Sequence, residues 1–286
     1  MCKFKRILVA LDGSDASKHA FEEALTFAKN EGIELMAVSV IPPYKGLVSS
    51  LSIFGHVREN IKKTYIKALE EAKMLAEENQ MELKTFLEEG KPCEKVIEVA
   101  IKNNCDLIVT GRRGATSFEK ILIGSTAAKI INDSPIDVLI IPRKTLLKIQ
   151  KILAATDGSI PGNNAVKRAG KIAKAYGATL DISSVIQLPP ETIIGEEELL
   201  DILKEELSEQ LAPVIKEIEG LGLKPRVFIE KGEPYAVIVN IIKNLGATLL
   251  AIGADEETGK KLIGSAAQKI IANSPVPILV IKKNGD

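Results

Sequence analysis

KRILVALDGS, residues Lys5 to Ser14, returns as QKILAATDGS, residues Gln150 to Ser159. Each stretch runs an apolar, β-branched strand pattern into Asp-Gly-Ser, a turn signal followed by helical periodicity. The closing segments repeat as well, LIGSTAAKIINDSPIDVLII from Leu122 to Ile141 and LIGSAAQKIIANSPVPILVI from Leu262 to Ile281. Between these ends, Gly90-Lys91-Pro92 is answered by Gly232-Glu233-Pro234, and each is followed by an apolar stretch ending in Gly111 or Gly253. Recurrence of all these signals in one order marks a tandem duplication of a single domain, with its boundary near Arg143 to Lys148.

Within the first half, short β-branched runs at Ile7 to Leu11, Leu35 to Ile41, Met81 to Leu87, Leu107 to Thr110 and Val138 to Ile141 read as strands. Helical periodicity lies between them at Ala16 to Asn30, Arg58 to Asn79, Glu94 to Asn103 and Ser125 to Asn132. The second half repeats the scheme, with strands near Ile152 to Thr156, Thr179 to Ile186, Lys224 to Glu230, Thr248 to Ile252 and Ile278 to Ile281, and a long helix at Glu196 to Gly220. Ser14 stands where a helix N-cap belongs, and Gly32 and Gly177 where C-caps belong. Strict alternation of strand and helix predicts an α/β protein of two doubly wound, Rossmann-like parallel sheets. In such a sheet ligands sit beyond the carboxyl ends of the strands, where strand order reverses. The strand-ending residues Leu11-Asp12, Val40-Ile41 and Thr110-Gly111 are therefore the first candidates for a site.

Bulk composition removes several function classes. The chain has 286 residues, 45% hydrophobic and 27% charged, which is ample for globular cores. Lys plus Arg and Asp plus Glu both number 38, so no global charge favours nucleic acid or an anionic membrane. Cys2, Cys93 and Cys105, with His19 and His56, are too few and too scattered for a disulfide framework or a zinc site. No apolar run reaches membrane-span length, and Met-Cys-Lys-Phe-Lys-Arg enters strand pattern without a signal-peptide core. A cytoplasmic protein with reduced thiols is expected.

The strand at Leu107 to Thr110 runs into Gly111-Arg112-Arg113-Gly114, nine further residues, then Gly124-Ser125-Thr126 at a helix start. Glycines at Gly111 and Gly114 permit positive φ and close backbone approach, and a helix beginning after Gly124 turns unbonded N–H groups outward. Ser125 and Thr126 add hydroxyls, and Arg112 and Arg113 add positive charge. Singly each glycine is an ordinary loop residue; together they form a cradle for phosphate.

This G-x-x-G, nine residues, G-S pattern, with LDGS at the first strand exit, resembles the nucleotide-binding universal stress proteins, and the whole chain resembles a tandem pair of UspA-like domains. The resemblance implies five-stranded sheets of order 3-2-1-4-5, with residues 1–145 carrying the intact nucleotide motif and residues 146–286 a degenerate one. It implies a stress-response regulatory role, with ATP lying across the junction of first and fourth strands. Asp12 would hold the ribose hydroxyls or an Mg2+ ion on the phosphates, and Ala10 and Leu11 would line the base pocket. The backbone of Val40 would read the adenine edge, Thr110 and Gly111 would meet the ribose and α-phosphate, and Gly114, Gly124, Ser125 and Thr126 would hold the phosphates. Asp12 has a second reading, as a loop aspartate forming an Asx turn before Gly13. ATP, ADP and AMP are not distinguished by the sequence.

Asp157, Gly264 and Ser265 preserve part of the cradle in the second half. Gly253 to Gly264 is two residues shorter than Gly111 to Gly124, and Asp255, Glu256 and Glu257 replace the arginines. A carboxylate about 4 Å from a phosphate costs on the order of 1 kcal/mol in water and several times that where screening is poor. Weak or absent triphosphate binding is expected there; Gly259, Lys260 and Lys261 have two readings, a shorter cradle suited to a monophosphate and an ordinary loop with a helix start, the second preferred. Members of the family commonly pair through their last strands, so Ile136 to Ile141 and Val276 to Ile281 are expected to make an intramolecular pseudo-dimer, with other faces left for a homodimer.

Three functions compete. The first is a nucleotide-bound regulator acting on a protein partner the sequence does not name. The second is an enzyme, at most a slow ATP hydrolase, since neither histidine nor any other obvious base adjoins the cradle. Walker A and G-x-G-x-x-G motifs are missing, DGSD is too short a turn for an adenylating pyrophosphate loop, and Leu87-Glu88-Glu89 does not suit a receiver. The third is a scaffold that binds no nucleotide, its glycines serving the fold alone.

Overall fold

A computed structural model of the chain describes residues 3–43, 53–113, 123–188, 195–254 and 264–282. The chain divides into a first unit, Phe4–Lys144, and a second that begins at Thr145. In the first, strands β1 (Arg6–Leu11), β2 (Glu34–Ile41), β3 (Leu83–Glu89), β4 (Leu107–Gly111) and β5 (Asp137–Ile141) alternate with helices α1 (Asp15–Glu31), α2 (Ile53–Glu78), α3 (Pro92–Lys102) and α4 (Ser125–Asp133). All neighbouring strands pair in parallel, in the order β3-β2-β1-β4-β5. Helices α1 and α2 touch each other on one face of the sheet, and α3 and α4 touch on the other. Strands sandwiched this way bury both faces, so β4 and β5 are buried at every residue and are apolar except at Thr110 and Asp137.

In the second unit, β6 (Lys151–Ala155), β7 (Thr179–Ile186), β8 (Val227–Lys231), β9 (Leu249–Gly253) and β10 (Ile278–Ile281) alternate with α5 (Ile160–Tyr176), α6 (Glu196–Gly220), α7 (Pro234–Leu245) and α8 (Ser265–Asn273). Their order is β8-β7-β6-β9-β10, again parallel throughout. Each unit therefore has the expected 3-2-1-4-5 arrangement.

Local signals behave as their chemistry dictates. The Ser14 hydroxyl accepts from the Ser17 amide at 3.2 Å and caps α1, and Gly32 and Gly177 close α1 and α5 in the left-handed region at φ +66° and +67°. Helix α3 begins at Pro92, two residues before the expected Glu94, because proline suits the first helical position. β3 starts two residues later than the expected Met81. The turn that ends α2 holds Gln80 at φ +58° and donates the Met81 amide to the Ala76 carbonyl at 2.9 Å, which takes Met81 out of the sheet. β8 likewise begins at Val227 rather than Lys224. The Arg226 guanidinium forks onto the buried carboxylate of Asp181 at 2.9 and 2.7 Å just before the strand.

Cys93 and Cys105 are both buried free thiols. Burial, with the charge of Asp106 second, pushes the Cys105 thiol up to about 11. Since the thiolate is the reactive species, native Cys105 should label with iodoacetamide at pH 8 at least ~100-fold more slowly than in denaturant. Peptide mass spectrometry reads this directly, and equal rates would contradict the packing of Cys105 against Met36.

Candidate functional site

At the end of β1 the chain turns sharply. One Asp12 oxygen accepts from the Ser14 amide at 3.0 Å and from the Ser14 hydroxyl at 2.6 Å, while Gly13 takes φ +78°. Asp12 thus does form the Asx turn, and the turn leaves its carboxylate on the wall of a cavity. The Ser39 hydroxyl donates to the Leu11 carbonyl at 3.0 Å, pinning the carboxyl ends of β1 and β2 together.

The cavity measures about 650 Å³ and lies where strand order reverses about β1. Ala10, Leu11 and Asp12 from β1 and its turn, Val40 from β2, and Thr110 and Gly111 from β4 line it. Gly124, Ser125 and Thr126 at the start of α4 close the opposite side. Nine of the residues singled out by sequence are therefore brought to one place. Arg112 is not on the lining, whereas Arg113 is, and Gly114 lies outside the described residues.

Of the two expected reasons for Gly111, close backbone approach holds and positive φ does not. Its φ is not positive, and a Cβ there would meet the Ala16 carbonyl oxygen at 2.6 Å and its carbon at 2.7 Å. The close approach is that of the first turn of α1. Gly124 is the N-cap of α4 in extended backbone, and its own amide donates to the Arg112 carbonyl at 2.9 Å. That amide is turned inward. The first amide of the helix ladder to reach back is that of Ala128, to the Gly124 carbonyl at 2.9 Å. Ser125, Thr126 and Ala127 precede it, and α4 has no side-chain cap, so a positive helix end opens on the cavity that these residues line.

Beside this end, the Arg113 Nε is buried with no hydrogen-bond partner among the described residues. A buried guanidinium nitrogen without an acceptor is costly, and an anion in the cavity would supply one. Burial, and then the like charge of Arg113, holds the Arg112 guanidinium below its ordinary value. Positive charge is thus crowded at the exit of β4. Among the described residues no three His, Cys, Asp or Glu side chains converge as a metal site.

Sequence reasoning missed the wall opposite β4. Lys91, Pro92, Cys93 and Val96 of α3 and its N-cap line the cavity, as do Val38 on β2 and Tyr65 on α2. The repeated Gly-x-Pro at the α3 start was an available signal for the first group. Val38 follows from Val40 by the two-residue period of a strand. Nothing in the sequence singles out Tyr65, whose place depends on how α2 crosses the sheet.

The second unit keeps the frame and changes the fittings. Asp157 accepts from the Ser159 amide at 3.0 Å, and a Cβ at Gly253 would meet the Pro161 carbonyl oxygen at 2.6 Å. Gly264 caps α8 without a side-chain bond, as Gly124 does α4. At the place of Lys91, however, Glu233 caps its own helix through the Ala236 amide at 3.1 Å and receives Lys269 of α8 at 3.3 Å. Asp255, Glu256, Glu257, Gly259, Lys260 and Lys261 lie outside the described residues.

No helix among the described residues is long and apolar enough to cross a membrane. The family model described as the universal stress protein family matches residues 3–142 and again residues 148–282. A universal stress protein of Methanocaldococcus jannaschii is 34% identical over 142 residues, covering 49% of this chain and 83% of the relative. One from Bacillus subtilis is 31% identical over 148 residues, covering 48% of this chain and 99% of the relative. Among solved structures, a universal stress protein from Archaeoglobus fulgidus covers 99% of this chain and 98% of its own, with a TM-score of 0.69 at 23% identity, a likeness of fold. Two consecutive matches that take in nearly every residue, each over a complete 3-2-1-4-5 sheet, place the chain in the universal stress protein family, as two such domains in tandem.

Proposed function

We propose that the first unit binds an adenine nucleotide, ATP, ADP or AMP, and acts as a nucleotide-dependent regulator in a stress response. The observation that carries this reading is the partnerless, buried Arg113 Nε beside the uncapped start of α4. A phosphate accepts from both, and the helix end and guanidinium favour its charge. In this reading the base lies against Ala10, Leu11 and Val40, the sugar at Asp12, and the phosphates at Gly114 and at Gly124 to Thr126. Since no three His, Cys, Asp or Glu side chains converge among the described residues, an Mg2+ ion would rest on the phosphates and neutralise their charge, leaving Asp12 to the sugar. The reading assigns binding rather than turnover.

For the second unit a scaffold role is favoured, because Glu233 puts a carboxylate at the start of α7, where Lys91 stands at the start of α3, and draws Lys269 of α8 onto it. Isothermal titration of the whole chain with ATP should therefore give a single nucleotide per chain. Arg113→Met should weaken ATP at least ~10-fold, the loss of a charge-assisted hydrogen bond, without lowering the melting temperature. Unchanged affinity in that variant would remove the main support for the phosphate site.

A further inference from the structure

We propose that Tyr65 reads the sugar of the bound nucleotide, so that the first unit selects ribonucleotides over 2′-deoxyribonucleotides. The inference rests on the nucleotide reading above and adds a specificity residue outside the glycine motif. Tyr65 is half-buried on α2 and shares the cavity wall with Asp12. Its position is fixed by contact between the β1–α1 turn and α2: a Cβ on Gly13 would come within 3.0 Å of Thr64 Cγ2 and 3.9 Å of the Ala68 methyl. The turn that aims Asp12 therefore lies on the same helical turn that carries Tyr65.

The two side chains have complementary chemistry. An ionised carboxylate only accepts, whereas a phenol both donates and accepts. Burial first, and the nearby Asp12 charge second, raise the Tyr65 hydroxyl above its ordinary value, so it keeps its proton throughout the neutral range. That hydroxyl makes no hydrogen bond among the described residues, and so has its donor available to the cavity. A vicinal diol fits the pair: the 3′-hydroxyl donates to Asp12 while the 2′-hydroxyl accepts from Tyr65. A ligand lacking the 2′-hydroxyl leaves a half-buried polar group facing carbon, the kind of mismatch by which sites reject deoxy analogues. The second unit does not repeat the device. There a Cβ on Gly158 would meet Leu207 Cδ1 at 3.0 Å and Gln210 Oε1 at 2.7 Å.

The test is calorimetric titration of the full chain and of Tyr65→Phe with ATP and with 2′-deoxy-ATP, alongside thermal melting. The parent protein should prefer ATP by about fivefold to tenfold, the range for one neutral hydrogen bond. Tyr65→Phe should lose most of that preference by weakening ATP, leave 2′-deoxy-ATP within about twofold, and melt with the parent. A parent with no preference, or a Tyr65→Phe variant that keeps it in full, overturns the role of Tyr65 while ATP binding itself stands. A parent that binds neither nucleotide overturns the underlying reading, and this inference with it. If Tyr65→Phe does not fold, Tyr65→His, which keeps a ring and a donor, takes its place: retention of the preference there supports the donor role, and its loss with ATP binding otherwise intact overturns it.

Discussion

Gly111→Ala is expected to destabilise the first unit by about 2–3 kcal/mol, at the upper end for overpacking a core, and to lower its melting transition by on the order of 10 °C. The methyl would enter the van der Waals shells of Ala16 carbonyl oxygen and carbon, at 2.6 and 2.7 Å. Those are backbone atoms in the first turn of α1, which is held by the Ser14 cap and packed on β1 and β4, so they cannot swing aside as a side-chain tip would. Gly253→Ala should behave alike in the second unit, against the Pro161 carbonyl. Gly32→Ala is the control: nothing lies within 4 Å of its Cβ, and the left-handed backbone alone should cost about 1 kcal/mol. Differential scanning calorimetry distinguishes the cases, and a Gly111→Ala chain melting with the parent would mean that the close approach is not made. Because this glycine belongs to the frame, loss of nucleotide affinity in its variants says nothing of direct contact.

Gly124→Asp separates stability from binding. Gly124 sits at φ −62° and ψ 142°, backbone any residue adopts, and it is the N-cap of α4. Aspartate is at least as good an N-cap as glycine, so the helix should gain a few tenths of a kcal/mol. The same carboxylate would occupy the amides proposed to hold phosphate and set a negative charge against it. At about 4 Å and the effective screening of a protein surface, that repulsion is about 4 kcal/mol per unit charge. ATP affinity should therefore fall at least ~100-fold with the melting temperature unchanged or slightly raised. Binding as tight as the parent's would place the ligand elsewhere.

Much of this architecture is written locally. Ser14, Gly32 and Gly177 act through bonds within a few residues, and a run such as Val138 to Ile141 is buried because nothing in it tolerates water. For this reason element type and order are legible without coordinates. The start of β3 is not, because Met81 suits either a strand or the end of a helix, and the choice is made by Gln80 entering the left-handed region. At the site, the strand-end residues follow from topology, whereas the arginine pair does not resolve itself. Arg112 and Arg113 are chemically equal in sequence, and only the direction of the chain leaving β4 puts the second on the cavity. Gly111 shows the converse: it was legible as special, yet the partner that demands it is Ala16, some ninety-five residues earlier. Tyr65 was invisible because α2 has no repeated motif to mark which of its turns meets Asp12.

The bond from the Gly124 amide to the Arg112 carbonyl fastens together the two ends of the glycine-rich segment. A segment tied at its base can lengthen or shorten without disturbing the strand before it or the helix after it, since ring closure depends only weakly on length. The duplicated copy, two residues shorter between Gly253 and Gly264, still presents β9 and α8 in the same frame. Duplication of such a fold yields an interchangeable insert on a constant chassis, so one copy can drift toward a new ligand, or none, while its twin keeps the old one.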